Sequence, residues 1–264
     1  ATAGCNFRCL HCQNWEISQF APDEVPYVEM KPETIVKWAK DTGCQSISYT
    51  YTEPTIFYEL AYDTGLLAKK EGLYNTFVTN GYATPKAIKK AKEFLDAANI
   101  DFKGDESFYR NVCGGVDFER YIESLKAWAK IGIHVELTYL IIPGYNDDED
   151  TMHMIPQTIK EIFGKEVPLH ITRFYPAYKM MDVSPTEIQT LEKAWGIARE
   201  HLDFVYLGNI LGSEKENTFC PNCGTLLIRR FGFEVLENHI KEGRCPECGH
   251  KIYGLFRSSP YKEQ

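Results

Sequence analysis

Cys5-Asn6-Phe7-Arg8-Cys9-Leu10-His11-Cys12 sets three thiols in one short loop with the spacing C-x3-C-x2-C. Three thiolates so close in sequence can converge on one metal centre. A structural zinc site or an ordinary [4Fe–4S] cluster wants four protein ligands. Three leave one metal position open, and an open position is where chemistry happens. His11 is a poor fourth ligand, because it adjoins Cys12 and neighbouring residues seldom both reach one ion. The bland alternative is three buried or free thiols, and clustered cysteines argue against it.

The other cysteines are Cys44, Cys113, Cys220, Cys223, Cys245 and Cys248, so the chain carries nine, seven of them in two tight groups. An odd count in tight groups suits metal binding in a reducing compartment better than a disulfide framework, which places the protein in the cytoplasm. The 264 residues are 44% apolar and 25% charged, enough for one sizeable core and too apolar for a disordered chain. No run is long and apolar enough for a membrane span, and the chain does not open like a signal peptide. A net charge of −8 disfavours bulk nucleic-acid binding. The opening Ala1-Thr2-Ala3-Gly4 runs straight into Cys5, and reads as a fragment or a trimmed chain whose first strand lies upstream.

Past the first loop, strand-like and helix-like segments alternate. Helices are expected from Pro32 to Gly43, from Thr84-Pro85, from Asp117 to Gly132, and from Glu149 to Phe163 with Pro156 as its weak point. A further helix is expected at Ser184-Pro185-Thr186-Glu187, which combines an N-cap, a proline and a capping-box glutamate. Strands are expected at Ser46–Tyr51, Asn75–Thr79, Asn99–Phe102, Val135–Ile142, Leu169–Phe174 and Phe204–Leu207. Such alternation implies parallel βαβ units in an α/β fold: a partial (β/α) TIM-like barrel, with a doubly wound open sheet as the competing architecture. In a barrel, chemistry sits at the C-terminal strand ends. Glu53, Thr79, Asn80, Asp101, Lys103, Arg173, Tyr175 and Asn209 collect there.

Composition shifts after Gly212. Residues 213–264 hold eight Lys and Arg against seven Asp and Glu, while residues 1–212 hold 21 against 30. The division expected is therefore a barrel over 1–212 and a small domain over 213–264. In the latter, Cys220-Pro221-Asn222-Cys223-Gly224 and Cys245-Pro246-Glu247-Cys248-Gly249 form two matching knuckles 21 residues apart. Four thiolates suit a closed, structural zinc site, with iron using the same ligands as the alternative. His239 and His250 are expected at the surface, since sulfur already fills the site. The tail resembles a zinc ribbon.

The stretch Gly4 to Asn14 resembles the signature loop of the radical S-adenosylmethionine (SAM) superfamily. The resemblance implies that Cys5, Cys9 and Cys12 hold a [4Fe–4S] cluster, that SAM chelates the fourth iron, and that His11 lies near the adenine. It continues through Tyr51-Thr52-Glu53-Pro54, which stands where the superfamily has a Gly-Gly-Glu-Pro-like motif beside the SAM amino group. Val78-Thr79-Asn80-Gly81, Ile100-Asp101-Phe102-Lys103 and Ile142-Pro143-Gly144-Tyr145-Asn146-Asp147 follow in order. Together these resemble the activating enzymes of glycyl-radical proteins, such as the pyruvate formate-lyase activase. Two positions depart from them: Val78 stands where activases tend to have Asp, and Arg173-Phe174-Tyr175-Pro176 lacks their SAM-holding His. Cys12–Ser18, the Tyr-Thr-Glu-Pro variant and the Cys-Pro-x-Cys tail resemble the radical SAM member of the AmmeMemoRadiSam system.

The function this implies is an oxidoreductase that reductively cleaves SAM to a 5′-deoxyadenosyl radical, acting on an unidentified protein or small molecule. SAM contacts are expected from His11, Thr52, Glu53, Thr79, Asn80, Asp101 and Lys103. Lys103 would meet the SAM carboxylate, and Asp101 would orient Lys103 or a ribose hydroxyl. The plain reading of that pair is a salt-bridged strand end, and of Thr79-Asn80 a turn before a helix. Implied partners are an electron donor such as flavodoxin or ferredoxin, and a Memo-like or AMMECR-like protein. Cys44 reads as a small buried hydrophobe. Cys113, in a loop expected just after a strand, reads as a loop thiol or as a catalytic hydrogen-atom donor. The competing functions are a glycyl-radical activase, an RNA-modifying radical SAM enzyme, and a non-catalytic zinc-binding interaction module.

Overall fold

The computed structural model describes residues 1–256. Its elements run α1 (Trp15–Ser18), α2 (Pro32–Asp41), β1 (Ser46–Tyr49), α3 (Tyr58–Lys70), β2 (Tyr74–Thr79), α4 (Pro85–Ala91), β3 (Ala97–Asp101), α5 (Glu106–Asn111) and α6 (Phe118–Lys130). They continue as β4 (His134–Ile141), α7 (Glu149–Phe163), β5 (Leu169–Arg173), α8 (Ile188–Arg199), β6 (Val205–Gly208), β7 (Thr218–Phe219), β8 (Leu226–Phe231) and β9 (Glu234–Asn238). None of the described helices is long and apolar enough to cross a membrane.

The larger sheet has six strands in the order β1-β2-β3-β4-β5-β6. The pairs β1–β2, β2–β3, β4–β5 and β5–β6 are parallel. The α/β class expected from the alternation holds. Neighbours in sequence are neighbours in the sheet, as right-handed β–α repeats give; a doubly wound sheet would reverse its order at a switch point. Side chains alternate as the pleat requires. On β4, Val135, Leu137, Tyr139 and Ile141 are buried, while Glu136 and Thr138 lie on the other face, half-buried.

By compactness the chain divides into two units, residues 1–135 with 176–183, and 136–175 with the segment from Ser184 onward. The first holds β1–β3 and α1–α6. Its core is aromatic, with Phe77, Phe94 and Tyr49 in edge contacts, and Tyr109 4.5 Å from Tyr121 between ring centroids. Local caps start its helices where the sequence places them. Thr84 Oγ1 accepts from the Ala87 amide at 3.3 Å, and the Asp117 carboxylate accepts from the Arg120 amide at 3.2 Å.

The second unit holds β4–β6, α7, α8 and a three-stranded antiparallel sheet in the order β7-β8-β9. Asp148 caps α7 through the Thr151 amide at 2.8 Å, and Gly164, at φ +91°, ends it. Pro156 is buried inside α7 without ending it. Phe204, Cys220, Leu227, Cys245 and Ile252 form one buried cluster that seats the cysteine knuckles beside β6.

Two local expectations fail. The α8 helix starts at Ile188 rather than at Pro185, with Glu187 as N-cap. Thr186 is held instead by the strand ends. Its hydroxyl donates to the Ile141 carbonyl at 2.6 Å and accepts from the Phe174 amide, while its carbonyl takes Arg173 Nε at 2.8 Å. Those tertiary bonds outweigh a local capping box. Cys44 is exposed, not buried. It lies in the turn after α2, where its amide donates to the Ala39 carbonyl, ahead of an edge strand.

Candidate active site

The cysteine loop is anchored from several sides within the first unit. Phe7 is buried and packs on the rings of Tyr82 and Tyr109, at 5.7 and 6.2 Å. Burying such a ring stabilises the loop by about 2 kcal/mol. Arg8 curls the backbone by donating to the carbonyls of Cys5 and Phe7, at 2.6 and 2.9 Å. The amides of Arg8 and Leu10 donate to the carbonyls of Cys113 and Val112, both at 3.0 Å. Behind them, Gly114 takes φ +92°, and a Cβ there would lie 2.7 Å from that of Arg8. On the other side, the Lys179 amide donates to the Leu10 carbonyl at 3.0 Å, and Tyr178 stacks on Trp15 at 5.3 Å.

Each thiol meets a different neighbour. Cys5 Sγ accepts from the Phe7 amide at 3.4 Å and lies 3.8 Å from Asn80 Nδ2. Burial pushes this thiol up to about 11. Cys9 receives a hydrogen bond from Cys113, which pulls Cys9 down; burial pushes the Cys113 thiol well up and keeps it a donor. Cys12 Sγ lies 3.1 Å from Ser18 Oγ. Cys113 is fully buried and follows α5 rather than a strand, contrary to its expected place. Its position serves the loop's geometry through backbone and thiol together.

Of the strand-end residues, Glu53, Thr79, Asn80, Asp101 and Lys103 belong to the same unit as this loop and gather around it, while Arg173, Tyr175 and Asn209 belong to the second unit. Glu53, after β1, is buried and its carboxylate accepts four hydrogen bonds. Thr55 N, Thr55 Oγ1 and Thr79 Oγ1 reach Oε1 at 3.0, 2.9 and 2.7 Å, and the Asn80 amide reaches Oε2 at 2.8 Å. Burial pushes the Glu53 carboxyl up, and these four donors pull against it. Asn80 Nδ2 donates to Asn6 Oδ1 at 2.6 Å, so the end of β2 is tied directly to the cysteine loop. Lys103 Nζ pairs with Asp101 Oδ2 at 2.6 Å and is largely buried. Burial works against its charge, but Asp101 and the thiols of Cys9 and Cys113 outweigh burial and raise the ammonium.

Two buried polar atoms at this site have no hydrogen-bond partner, His11 Nδ1 and Thr52 Oγ1. Burial drives the His11 imidazole down to about 3, helped by the Lys103 charge, so the ring stays neutral. Buried orphans are rare in folded proteins, and each points to a ligand or a water that completes it. Three thiols, a buried cation and two orphan polar atoms therefore fit an iron–sulfur cluster with a polar, zwitterionic cosubstrate. Among the described residues these three thiols do not close into a group within 4.8 Å, whereas those of the tail do.

Residues 1–155 match the sequence profile of the Radical SAM superfamily. The chain belongs to that superfamily. It is 50% identical over 255 residues to the uncharacterized protein MJ0808 of Methanocaldococcus jannaschii, covering 96% of this chain and 76% of that protein. It is homologous to the pyruvate formate-lyase 1-activating enzyme of Escherichia coli, with 24% identity over 75% of this chain and 86% of that enzyme. Among solved structures, Streptococcus suis SuiB bound to S-adenosylmethionine aligns with a TM-score of 0.59 and 13% identity, over 83% of this chain and 52% of SuiB. That likeness is one of fold.

The tail of this radical SAM protein carries a separate centre. Its four thiols lie within 4.8 Å of one another, with Cys220 3.6 Å from Cys248 and Cys223 3.7 Å from Cys245. Tetrahedral coordination at a metal–sulfur distance of about 2.3 Å needs sulfurs about 3.8 Å apart, so one ion fits. The two knuckles share one turn: Gly224 N donates to Cys220 O at 2.9 Å, and Gly249 N to Cys245 O at 3.0 Å. Their glycines sit at φ +75° and +72°. His239 is exposed and pairs with Glu237. His250 is half-buried with Nε2 unpartnered, and like His239 it stands outside the four-cysteine group.

Several residues that build the first site carry no signal in the sequence. Asn6, Val112 and Lys179 act through contacts between distant segments, and Thr55 through a bond to the nearby Glu53 carboxylate. Gly114, beside Cys113, was the one visible hint, since a glycine pair marks close backbone approach.

Proposed function

We propose that this chain is an oxidoreductase in which Cys5, Cys9 and Cys12 ligate a [4Fe–4S] cluster and SAM completes the open iron. When bound, the reduced cluster supplies the electron that splits SAM into methionine and a 5′-deoxyadenosyl radical. The protein's task is to bind, orient and exclude water. Lys103, fixed by Asp101, offers its charge to the SAM carboxylate. Thr52 Oγ1 and His11 Nδ1 are unfilled polar atoms suited to the amino group and the adenosine. Glu53 acts from behind, holding Thr79 and Asn80 at the end of β2. The observation that carries this reading is the buried Lys103 set against the loop that holds three thiols and the orphan His11, with the orphan Thr52 beside Glu53.

The radical formed acts on a protein or small molecule. The Cys12–Ser18 run, the Tyr51-Thr52-Glu53-Pro54 variant and the Cys-Pro-x-Cys tail favour the AmmeMemoRadiSam branch, with a Memo-like or AMMECR-like protein as partner. The activase homology favours a glycyl-radical protein as a second substrate reading. A flavodoxin or ferredoxin supplies the electron, the tail thiols hold structural zinc, and the compartment is the reducing cytoplasm. The acidic balance argues against RNA.

The test is anaerobic reconstitution followed by reduction in the presence of SAM. Loaded protein should release 5′-deoxyadenosine slowly without substrate, and Cys9→Ala should lose the cluster's brown absorbance. Full iron content in Cys9→Ala, or loaded protein that never cleaves SAM, would sink the proposal.

A further inference from the structure

A further cluster of metal-binding side chains, none of them a cysteine, lies in the second unit. His153 projects from α7, and Glu200 and His201 follow the last turn of α8. One ring nitrogen from each histidine and a Glu200 carboxylate oxygen all lie within 4.8 Å of one another. We propose that His153, Glu200 and His201 form a binding site for one divalent transition-metal ion of the zinc, nickel and cobalt class, pinning α7 to α8.

Four observations carry this. First, His201 Nε2 is buried and has no hydrogen-bond partner. A buried imidazole nitrogen left unpaired is costly, and an ion is one of the few things that complete it. Second, the backbone presenting these groups is fixed. The His201 amide donates to the Ala198 carbonyl at 3.0 Å, and Leu202 donates to the same carbonyl at 2.9 Å. Met152 and Ile155 of α7, and Ile197 and Ala198 of α8, are buried on either side. Sites on packed helices hold geometry better than sites on loops. Third, the same helices are bridged by an exposed ion pair, Lys193 to Glu149 at 2.7 Å, so they already meet in one register. Fourth, the C-terminal carbonyls of α8 carry partial negative charge, which favours a cation at this end.

The donor set chooses the ion. Two imidazoles and one carboxylate are too rich in nitrogen for calcium or magnesium and match borderline divalent metals. The two rings cross at 82° with centroids 6.0 Å apart, an arrangement that lets both nitrogens turn toward a common point. Three protein ligands leave a position for water, and the exposed Glu200 gives the ion a way in.

The test uses the full chain without an affinity tag, its cluster loaded and its tail thiols already filled with metal. Ni²⁺ is then the probe, read by equilibrium dialysis and elemental analysis. The wild-type chain should bind one further Ni²⁺ and unfold at a higher temperature with it. Replacing a ligand, as in His153→Gln or His201→Gln, should weaken binding by about tenfold or more, and Glu200→Gln should do so without touching a buried group. In those variants the thermal shift should vanish, while iron content and SAM cleavage stay as in the wild type. No additional Ni²⁺ on the wild type at about 1 mM free ion, where a millimolar site is half filled and tighter ones nearly full, would overturn the site. So would undiminished binding in the double variant His153→Gln and His201→Gln.

Discussion

Glu53→Gln removes a charge and turns one of two acceptor oxygens into a donor, without changing shape. In the wild type Oε1 takes three donors and Oε2 takes the Asn80 amide. The best placement of Gln keeps its oxygen on the three donors. Its NH₂ group then faces the Asn80 N–H, donor against donor. Orphaning that buried amide costs about 1–3 kcal/mol, and the three surviving bonds weaken because they lose their charge assistance. Removing a buried charge returns part of the cost. The net expectation is about 2 kcal/mol, felt first at the end of β2. Hydrogen exchange followed by mass spectrometry reads this locally: at 1.4 kcal/mol per factor of ten, the Asn80 amide should exchange about 30-fold faster. Asn80 also grips Asn6, so cluster loss under a chelator should speed up in step. Unchanged exchange at Asn80, with an unchanged chelation rate, would refute the idea that Glu53 is the post supporting the cysteine loop.

Gly114→Ala should displace the loop, since its Cβ would meet Arg8 Cβ at 2.7 Å and Arg8 N at 3.1 Å; Gly115→Ala, also at positive φ but with nothing within 4 Å, isolates backbone strain alone. Iron per chain after reconstitution should fall in the first and hold in the second, and equal loss in both would remove the steric argument. Lys103→Ala should weaken SAM binding by about 1–3 kcal/mol, as for a lost charged hydrogen bond, with the cluster retained; calorimetry on loaded protein showing unchanged affinity would put Lys103 outside the SAM site. The double variant Cys220→Ala and Cys223→Ala should lose the tail metal and keep cluster iron, and loss of both metals together would show that the two centres are not independent.

How much of this was legible in the sequence depends on how far apart the cooperating residues lie. Thr84 and Asp117 cap helices a few residues away, and both were readable. The α3 helix was not. It buries Ala61, Thr64, Gly65 and Ala68, a helical spacing filled by small residues, so no apolar stripe marks it. Gly65 sits there because a Cβ would strike the Phe94 ring at 2.3 Å, a packing demand made by a residue 29 positions away. The cysteines could be sorted by spacing alone. Cys44 and Cys113 were misplaced: one lies beside an edge strand, and the other follows the short helix that Asp105 caps through the Phe108 amide, a start signal that sequence reasoning missed. Likewise Ser184-Pro185-Thr186-Glu187 has every local mark of a helix start, yet Thr186 is claimed by Ile141, Phe174 and Arg173. Among the expected SAM contacts, Glu53 and Asp101 were visible as charges, but their occupied hydrogen bonds could not be.

The hydrogen bond from Lys179 to Leu10, and the stacking of Tyr178 on Trp15, bear on how the molecule is made. A ribosome releases Leu10 and the thiols around it 169 residues before Lys179, whose amide latches their loop. At common synthesis rates that is a delay of roughly ten to thirty seconds. During that interval the nascent chain carries three uncovered thiols and lacks the clasp that shapes their loop. Iron delivery to a native loop therefore has to wait for residue 179 to emerge, and oxidants have the whole interval to act.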